Sequence, residues 1–281
     1  MSHTTINFKN IPVQAGIISN IINLDVNSHS CFYELDTLIS SDQGVATLVL
    51  RVVNSPIYNR GNVVATIPLA VSLLGFSVVR SLALLAFSRS LFSQTKNALF
   101  RLHIWQHSLL TAIGSQTICD EFGKHKLDDE AFIAGLMHDT GKVLMFNHNP
   151  AAYQDVINYS FENNCASVEA ELKYFGFDHC QVGLEAVQHW KLPDRFNDYM
   201  GTDISTHQPD KLSDVVLQSL TVANYLVKAS GVGANATKDL EIKKFALLSF
   251  GLNEELSVRL AEEQFINSLM ENDAYQLCAS I

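Results

Sequence analysis

The chain has 281 residues, 47% of them hydrophobic and 17% charged, with a formal net charge of −10. That composition supplies enough apolar side chain for a sizeable core and is too apolar for a disordered chain. The acidic balance is relieved by no Lys/Arg-rich run, which speaks against a nucleic-acid partner held by phosphate contacts.

The first residues, MSHTTINFKN, lack a basic stretch followed by an apolar one, so no export signal is read there and a cytoplasmic location is expected. Strand-like alternation is scarce along the chain, and helical spacing is common. Val45, Leu48, Val49, Val52 and Val53 fall on one face of a helix that closes at Asn54-Ser55. Pro56 disfavours helical geometry at Ser55, so the stretch IYNRGN with Gly61 is expected to be a loop. Asn54 and Ser55 are read as structural, satisfying free backbone groups at that helix end. Residues 62–79 carry no charge and approach the length of a membrane span. Pro68 and the polar Asn62, Thr66, Ser72 and Ser77 interrupt them, and Arg80 follows without a basic cluster. The reading is a buried core helix starting near Thr66-Ile67-Pro68, with no membrane association.

Residues 96–122 read as a long helix with His103 and His107 one turn apart. After the polar break GKHKLDD, Asp128 or Asp129 can cap a helix that continues through EAFIAGLMHD to the Gly141 region. Further helices are predicted over 150–164, 166–175 and 179–190, the last with Asp178 as N-cap and Pro193 beyond its end. Residues 199–211 are polar and irregular, and helices are expected over 212–230, 238–250 and 254–270. The predicted class is all-α, in two helical lobes, 1–95 and 96–281, with a boundary near 94–97. The five cysteines, Cys31, Cys119, Cys165, Cys180 and Cys278, are odd in number and form no C-x-x-C. They are read as reduced thiols, not as a disulfide framework or a structural zinc site.

The sharpest chemical feature is GLMHDTGKVL, residues 135–144. His138 and Asp139 offer one imidazole and one carboxylate, a donor set for a divalent metal of intermediate hardness such as iron or manganese. Ala131, Ala134, Gly135 and His138 share a helix face whose small residues admit another helix closely, and His107 is the candidate ligand brought in that way. Gly141 could permit a tight change of direction, and Lys142 could face an anion. Downstream, His179, Val182, Ala186 and His189 trace a ridge that could carry both imidazoles along one groove. Together these groups would form a mono- or dinuclear site of the kind that hydrolyses phosphoesters. Taken singly, a histidine on a partly apolar helix is a hydrogen-bonded core or boundary residue, which is the reading for His103, His125, His148 and His207. Trp190 and Pro193 are read as packing and a helix stop.

On these residues the chain resembles the HDOD family, a bacterial signalling branch of the HD superfamily. Ile11-Pro12 resembles the family's opening Leu-Pro, and residues 35–84 resemble its most recognisable block, with Asn54-Ser55 and the later Leu74-Gly75. Gln43 stands where the family commonly has Pro. LHIWQHSLLTA places His107 at the superfamily's first metal-ligand position, and GLMHDTGKVL matches the HD pair at His138 and Asp139. FDHCQVGLEAVQHWKLP resembles the family segment ending Trp-x-Leu-Pro, with His179 and His189 near the extra histidines of the related HD-GYP phosphodiesterases. In two places the chain departs from the metal-dependent enzymes: no Gly-Tyr-Pro follows, and the final aspartate ligand has its nearest match in TVANYL, at Asn224. The resemblance implies an output or adaptor domain that works through contacts with a signalling protein supplied in trans. The implied metal site is His107, His138, Asp139, His179, His189 and Asn224, one charge short, with partial metal or none. The alternative is a metal-dependent phosphohydrolase acting on a nucleotide or cyclic dinucleotide, with Lys142 as a candidate catalytic group.

Overall fold

Every element among the described residues is a helix. The structure is a computed structural model and describes residues 6, 14–25, 28–55, 58, 61, 63–92, 97–204 and 214–279. Ile11 and Pro12, most of the IYNRGN loop, His207 and residues 93–96 at the expected lobe boundary lie outside them.

Among the described residues five helices precede residue 93: Gln14–Ile22, Cys31–Ser40, Gln43–Val53, Ile67–Leu74 and Phe76–Phe92. Asp42 starts the third by accepting from the amides of Gly44 and Val45 at 2.8 and 3.0 Å. Val45, Leu48, Val49, Val52 and Val53 are all buried, as one apolar stripe requires. At the helix end the Asn54 carboxamide donates to the carbonyls of Leu50 at 2.7 Å and Val64 at 2.8 Å and accepts from the Val64 amide at 2.8 Å. One side chain therefore closes the helix and ties down the far side of the loop.

The charge-free stretch does not form one helix. Gly75, at φ +86, ends Ile67–Leu74, and Phe76–Phe92 starts immediately after it. No helix among the described residues is long and apolar enough to cross a membrane.

The next helical run is continuous through Ala98–Phe100, a π-helical stretch Arg101–Gln106 and the α-helix His107–Glu121. π turns of this kind occur often beside functional positions. The helix Asp128–Met137 is not capped by Asp128 or Asp129. Leu127 holds the cap position, and Asp128, Asp129 and Glu130 fill the first turn, where negative charge complements the helix dipole. That helix stops at Met137, and Thr140–His148 begins after the pair His138-Asp139. Pro150–Asn163, Ser167–Phe175, His179–Trp190 and Phe196–Met200 follow. Asp178 and Gln181 form a reciprocal capping box at the start of His179–Trp190.

Val215–Ala229 packs across both His107–Glu121 and Asp128–Met137. The expected helix over 254–270 is two, Glu254–Ala261 and Glu263–Glu271, because Glu262 is extended at ψ 150. With Leu240–Ser249 before them and Asp273–Cys278 after, they complete the described chain. Buried apolar residues form one cluster that extends from Ile6 to Cys278. Its ends are tied by side chains: the Trp105 indole donates to the Cys278 carbonyl at 2.8 Å, and Ser19 and Asn23 bond the carbonyls of Trp190 and Lys191.

Candidate metal centre

The centre rests on a close helix pair. A Cβ on Gly135 would lie 2.6 Å from Ala112 Cα and 2.7 Å from the Thr111 carbonyl, so only glycine lets Asp128–Met137 approach His107–Glu121 this closely. His107, at the first position of one helix, and His138, just past the end of the other, are thereby brought together. Their rings stand 5.3 Å apart, and one ligand atom from each of His107, His138 and Asp139 lies within 4.8 Å of the others. All three residues are buried.

The tautomers follow from the second nitrogens. His107 Nδ1 bonds the Val232 carbonyl at 3.1 Å, and His138 Nδ1 bonds the Gly135 carbonyl at 2.8 Å. A carbonyl only accepts, so each Nδ1 carries the proton and each Nε2 is left with a lone pair. Those two Nε2 atoms lie 3.6 and 3.4 Å from Asp139 Oδ2, and neither has a hydrogen-bond partner among the described residues. Burial drives both imidazoles toward the neutral form: the His138 pKa falls to about 4, and that of His107 falls well below its ordinary value. Burial alone would raise the Asp139 carboxyl. His138, Lys142, His107 and His179 outweigh it and hold the group well below the carboxylate range.

Two neutral imidazoles and one carboxylate that converge, with orphaned lone pairs, fit a divalent cation. Buried polar atoms without partners are rare, and imidazoles oriented through Nδ1 are the usual arrangement of metal-binding histidines. Thr111, one turn beyond His107, adds an orphaned hydroxyl.

Around this triad the charges are already paired. Lys142 Nζ lies 2.9 Å from Asp139 Oδ2, the oxygen that faces both histidines. His179 Nε2 lies 3.7 Å from Asp139 Oδ1, and its Nδ1 bonds Glu171 Oε2 at 2.6 Å. Burial lowers the His179 pKa, but Glu171 raises it further, to about 10. Gly141 brings that helix in: a Cβ there would meet the His179 carbonyl at 2.0 Å. Gly141 has no left-handed backbone, so close approach and not a change of direction is what it supplies.

His189 is not brought to the centre. It is exposed near the far end of His179–Trp190, about 15 Å along the axis from His179. The buried stripe of that helix runs His179, Val182, Ala186 and Trp190. Eleven residues close about three whole turns, whereas ten leave His189 rotated off the stripe by about 80°. Asn224 is buried on Val215–Ala229, and its Oδ1 is another polar atom without a partner. Lys228, one turn later on the same face, feels Lys142 and Asp139, and burial first and Lys142 second lower its pKa to about 8.

Sequence reasoning did not single out Glu171, Tyr153, Lys228 or Gly233. Nothing in SVEAELKYF separates the fully buried Glu171 from the exposed Glu169. Gly233 reaches the centre only through the fold: it lies against His107, and its amide donates to His103 Nδ1 at 3.2 Å. His103 is buried and packs against the Phe161 ring at a tilt, in keeping with a core role, while His125 is exposed and pairs with Asp120.

Comparison with solved structures finds the same architecture elsewhere. An HDOD domain protein from Geobacter sulfurreducens is 23% identical, with a TM-score of 0.70 over 96% of this chain and 91% of that one. A candidate signal transduction protein from Marinobacter aquaeolei VT8 is 20% identical, with a TM-score of 0.71 over 99% of this chain and 61% of that one. A candidate phosphohydrolase from Shewanella amazonensis SB2B is 19% identical, with a TM-score of 0.66 over 96% of this chain and 92% of that one. At these identities the likeness is one of fold. Among curated sequences, an uncharacterized protein of Treponema pallidum is 22% identical over 161 residues, which is 57% of this chain and only 31% of that protein. The HDOD domain itself matches residues 11–204, well over half of the chain and including His107, His138, Asp139 and His179, and the protein therefore belongs to the HDOD domain family.

Proposed function

We propose that the protein is a bacterial signal-transduction output or adaptor domain, acting through contacts with a protein partner in trans, and that its HD-type centre binds a divalent ion weakly without hydrolysing a phosphoester. The observation that carries this reading is the Lys142 ammonium, 2.9 Å from Asp139 Oδ2. An ion held by His107 and His138 would draw on that same oxygen, so it must compete with a cation the chain already supplies. Asp139 is the single anion in the His107–His138–Asp139 triad, and Asn224 is neutral. A divalent ion, when bound, supplies Lewis acidity and a more acidic water, which requires ligand charge and an open position. His107 is 0% and Asp139 2% exposed, which leaves little room for either water or substrate.

The test is elemental analysis of the purified protein, manganese titration, and hydrolysis of bis(p-nitrophenyl) phosphate with added manganese. Substoichiometric metal and no turnover are expected, and Asn224→Asp should bind manganese more tightly. Stoichiometric iron or manganese together with turnover by the unaltered chain would overturn the reading.

That outcome would favour the second reading, a metal-dependent phosphohydrolase. It is supported by the two orphaned Nε2 atoms aimed at Asp139. Under it, His107, His138, Asp139 and His179 would hold iron or manganese and Lys142 would contact the phosphoryl group.

A further inference from the structure

Beside the metal centre lies a pocket that this chemistry does not use. It has a volume of about 240 Å3 and lies between the turn from Ser160 to Ser167 and the loop Gly233–Asn235, with Lys228 on its wall. It shares a wall with the centre: Gly233, which lines it, would place a Cβ 2.7 Å from His107 Nδ1.

The lining is chemically one-sided. In a chain of net charge −10, no carboxylate lines this pocket, and its one charged residue is Lys228. Lys228 makes no hydrogen bond or ion pair with any described residue; Asp139, Asp203 and Glu171 act on its charge only from beyond ion-pair distance, Asp139 and Glu171 being paired with Lys142 and His179. Among the described residues no hydrogen bond engages the Ser167 hydroxyl. Ser167 opens the helix Ser167–Phe175, whose cap residue, Ala166, offers no side-chain acceptor. Lys228, Ser167 and a first turn that no side chain caps and whose one acidic residue, Glu169, does not line the pocket therefore border one cavity, and a cation, a hydroxyl and free amides each favour negative charge or a lone pair. The volume lies below the range of about 300–1,000 Å3 that encloses drug-sized ligands. It suits a single oxyanion with little attached and not a cyclic dinucleotide.

We propose that this pocket binds a small phosphate-type oxyanion, free or as the end of a small phosphoester, with Lys228 and Ser167 as its side-chain contacts. The site does not depend on a metal in the neighbouring centre. The probes are inorganic phosphate and adenosine monophosphate, added to the metal-free full chain in chelator at constant ionic strength. Binding is read by calorimetry and by the thermal midpoint.

Saturating phosphate should raise the midpoint by about 2–4 °C. Lys228→Gln should weaken phosphate at least about tenfold, the change expected when one charge-assisted contact is lost, and Lys228→Arg should retain it. Ser167→Asp is the second variant. A carboxylate in the first turn suits the helix dipole, so folding should be kept while phosphate is repelled. Adenosine monophosphate that binds more tightly, with the same dependence on Lys228, would identify the ligand as a phosphoester. Preference for inorganic phosphate would identify the free ion. His138→Ala should abolish manganese binding and leave the phosphate response intact, which separates this site from the metal reading. Equal phosphate responses in the unaltered, Lys228→Gln and Ser167→Asp chains would overturn the proposal. So would a response matched by chloride, or one lost in His138→Ala.

Discussion

Gly233 lies so close to the His107 imidazole that a Cβ there would come within 2.7 Å of Nδ1. The preceding carbonyl, Val232, bonds that same nitrogen at 3.1 Å, so the loop orients the ring and leaves no room for a side chain beside it. Gly233 also holds φ +95, a region that side chains rarely adopt. Gly233→Ala should therefore cost about 1–3 kcal/mol in backbone strain and turn the His107 ring away from Asp139. Thermal denaturation should show a midpoint lower by several degrees, and manganese affinity should fall about tenfold or more, as it does when the support of a ligand histidine is lost. An unchanged midpoint and unchanged affinity would mean that the loop is not a support.

Asn54 offers a test far from the centre. Its carboxamide makes hydrogen bonds to Leu50 and to both polar backbone groups of Val64, a residue only 1% exposed. Asn54→Leu strands the Val64 amide and carbonyl, so chemical denaturation should show a loss of about 1–3 kcal/mol. Asn54→Asp keeps only the accepting bond and should fall between the two. A leucine variant as stable as the parent would show that Asn54 acts at the surface instead.

These sites differ in how far the sequence disclosed them, and the difference is one of range. His107, His138 and Asp139 were legible because a face of small residues, Ala131, Ala134 and Gly135, forecasts close helix approach within a local repeat. Asn54 was legible as a helix end, but its partner Val64 lies across a loop. His189 misled because a ridge of i, i+3, i+7 spacing extends to i+11 and not to i+10, and Trp190 takes that place. Glu171, Lys228 and Gly233 carried no local signal. Their roles arise from contacts between helices that only the assembled fold brings together. Gly75 shows the converse: one glycine with φ +86 divides a charge-free run that composition alone reads as a single helix.

Thiol reactivity should sort the five cysteines by burial. Cys31, Cys119, Cys180 and Cys278 are buried, and only Cys165 is partly exposed. Burial pushes the Cys119 and Cys278 thiols up to about 11, which removes the reactive thiolate at neutral pH. Titration of the native protein with a chromogenic disulfide should modify Cys165 first, and the remaining thiols only on denaturation. Rapid modification of Cys119 or Cys278 in the native state would contradict the packing around them.

Glu171 makes the strongest demand on the fold. It is fully buried, and its two oxygens accept from three donors: the Tyr153 hydroxyl at 2.7 Å, the His179 amide at 2.9 Å and His179 Nδ1 at 2.6 Å. Burial would favour the neutral acid, but His179 above all, with Lys142, keeps the carboxyl below its ordinary value. Glutamine preserves the shape and loses the charge. Its amino group must face a donor, and His179 keeps only the more distant carboxylate of Asp139, 3.7 Å away, as a counter-ion. Removing one partner of a buried pair typically costs about 3–5 kcal/mol, so Glu171→Gln should lower stability far more than a surface change. A purely steric role predicts the same sign, so a double-mutant cycle decides. In a His179→Gln background, Glu171→Gln should cost less by at least about 0.5 kcal/mol, the lower end of coupling between contacting residues. Nitrogen NMR of the His179 ring in the Glu171→Gln protein should also show Nδ1 released from its donor role. Strict additivity in the cycle, with an unperturbed His179 spectrum, would remove Glu171 as the group that orients His179 toward Asp139.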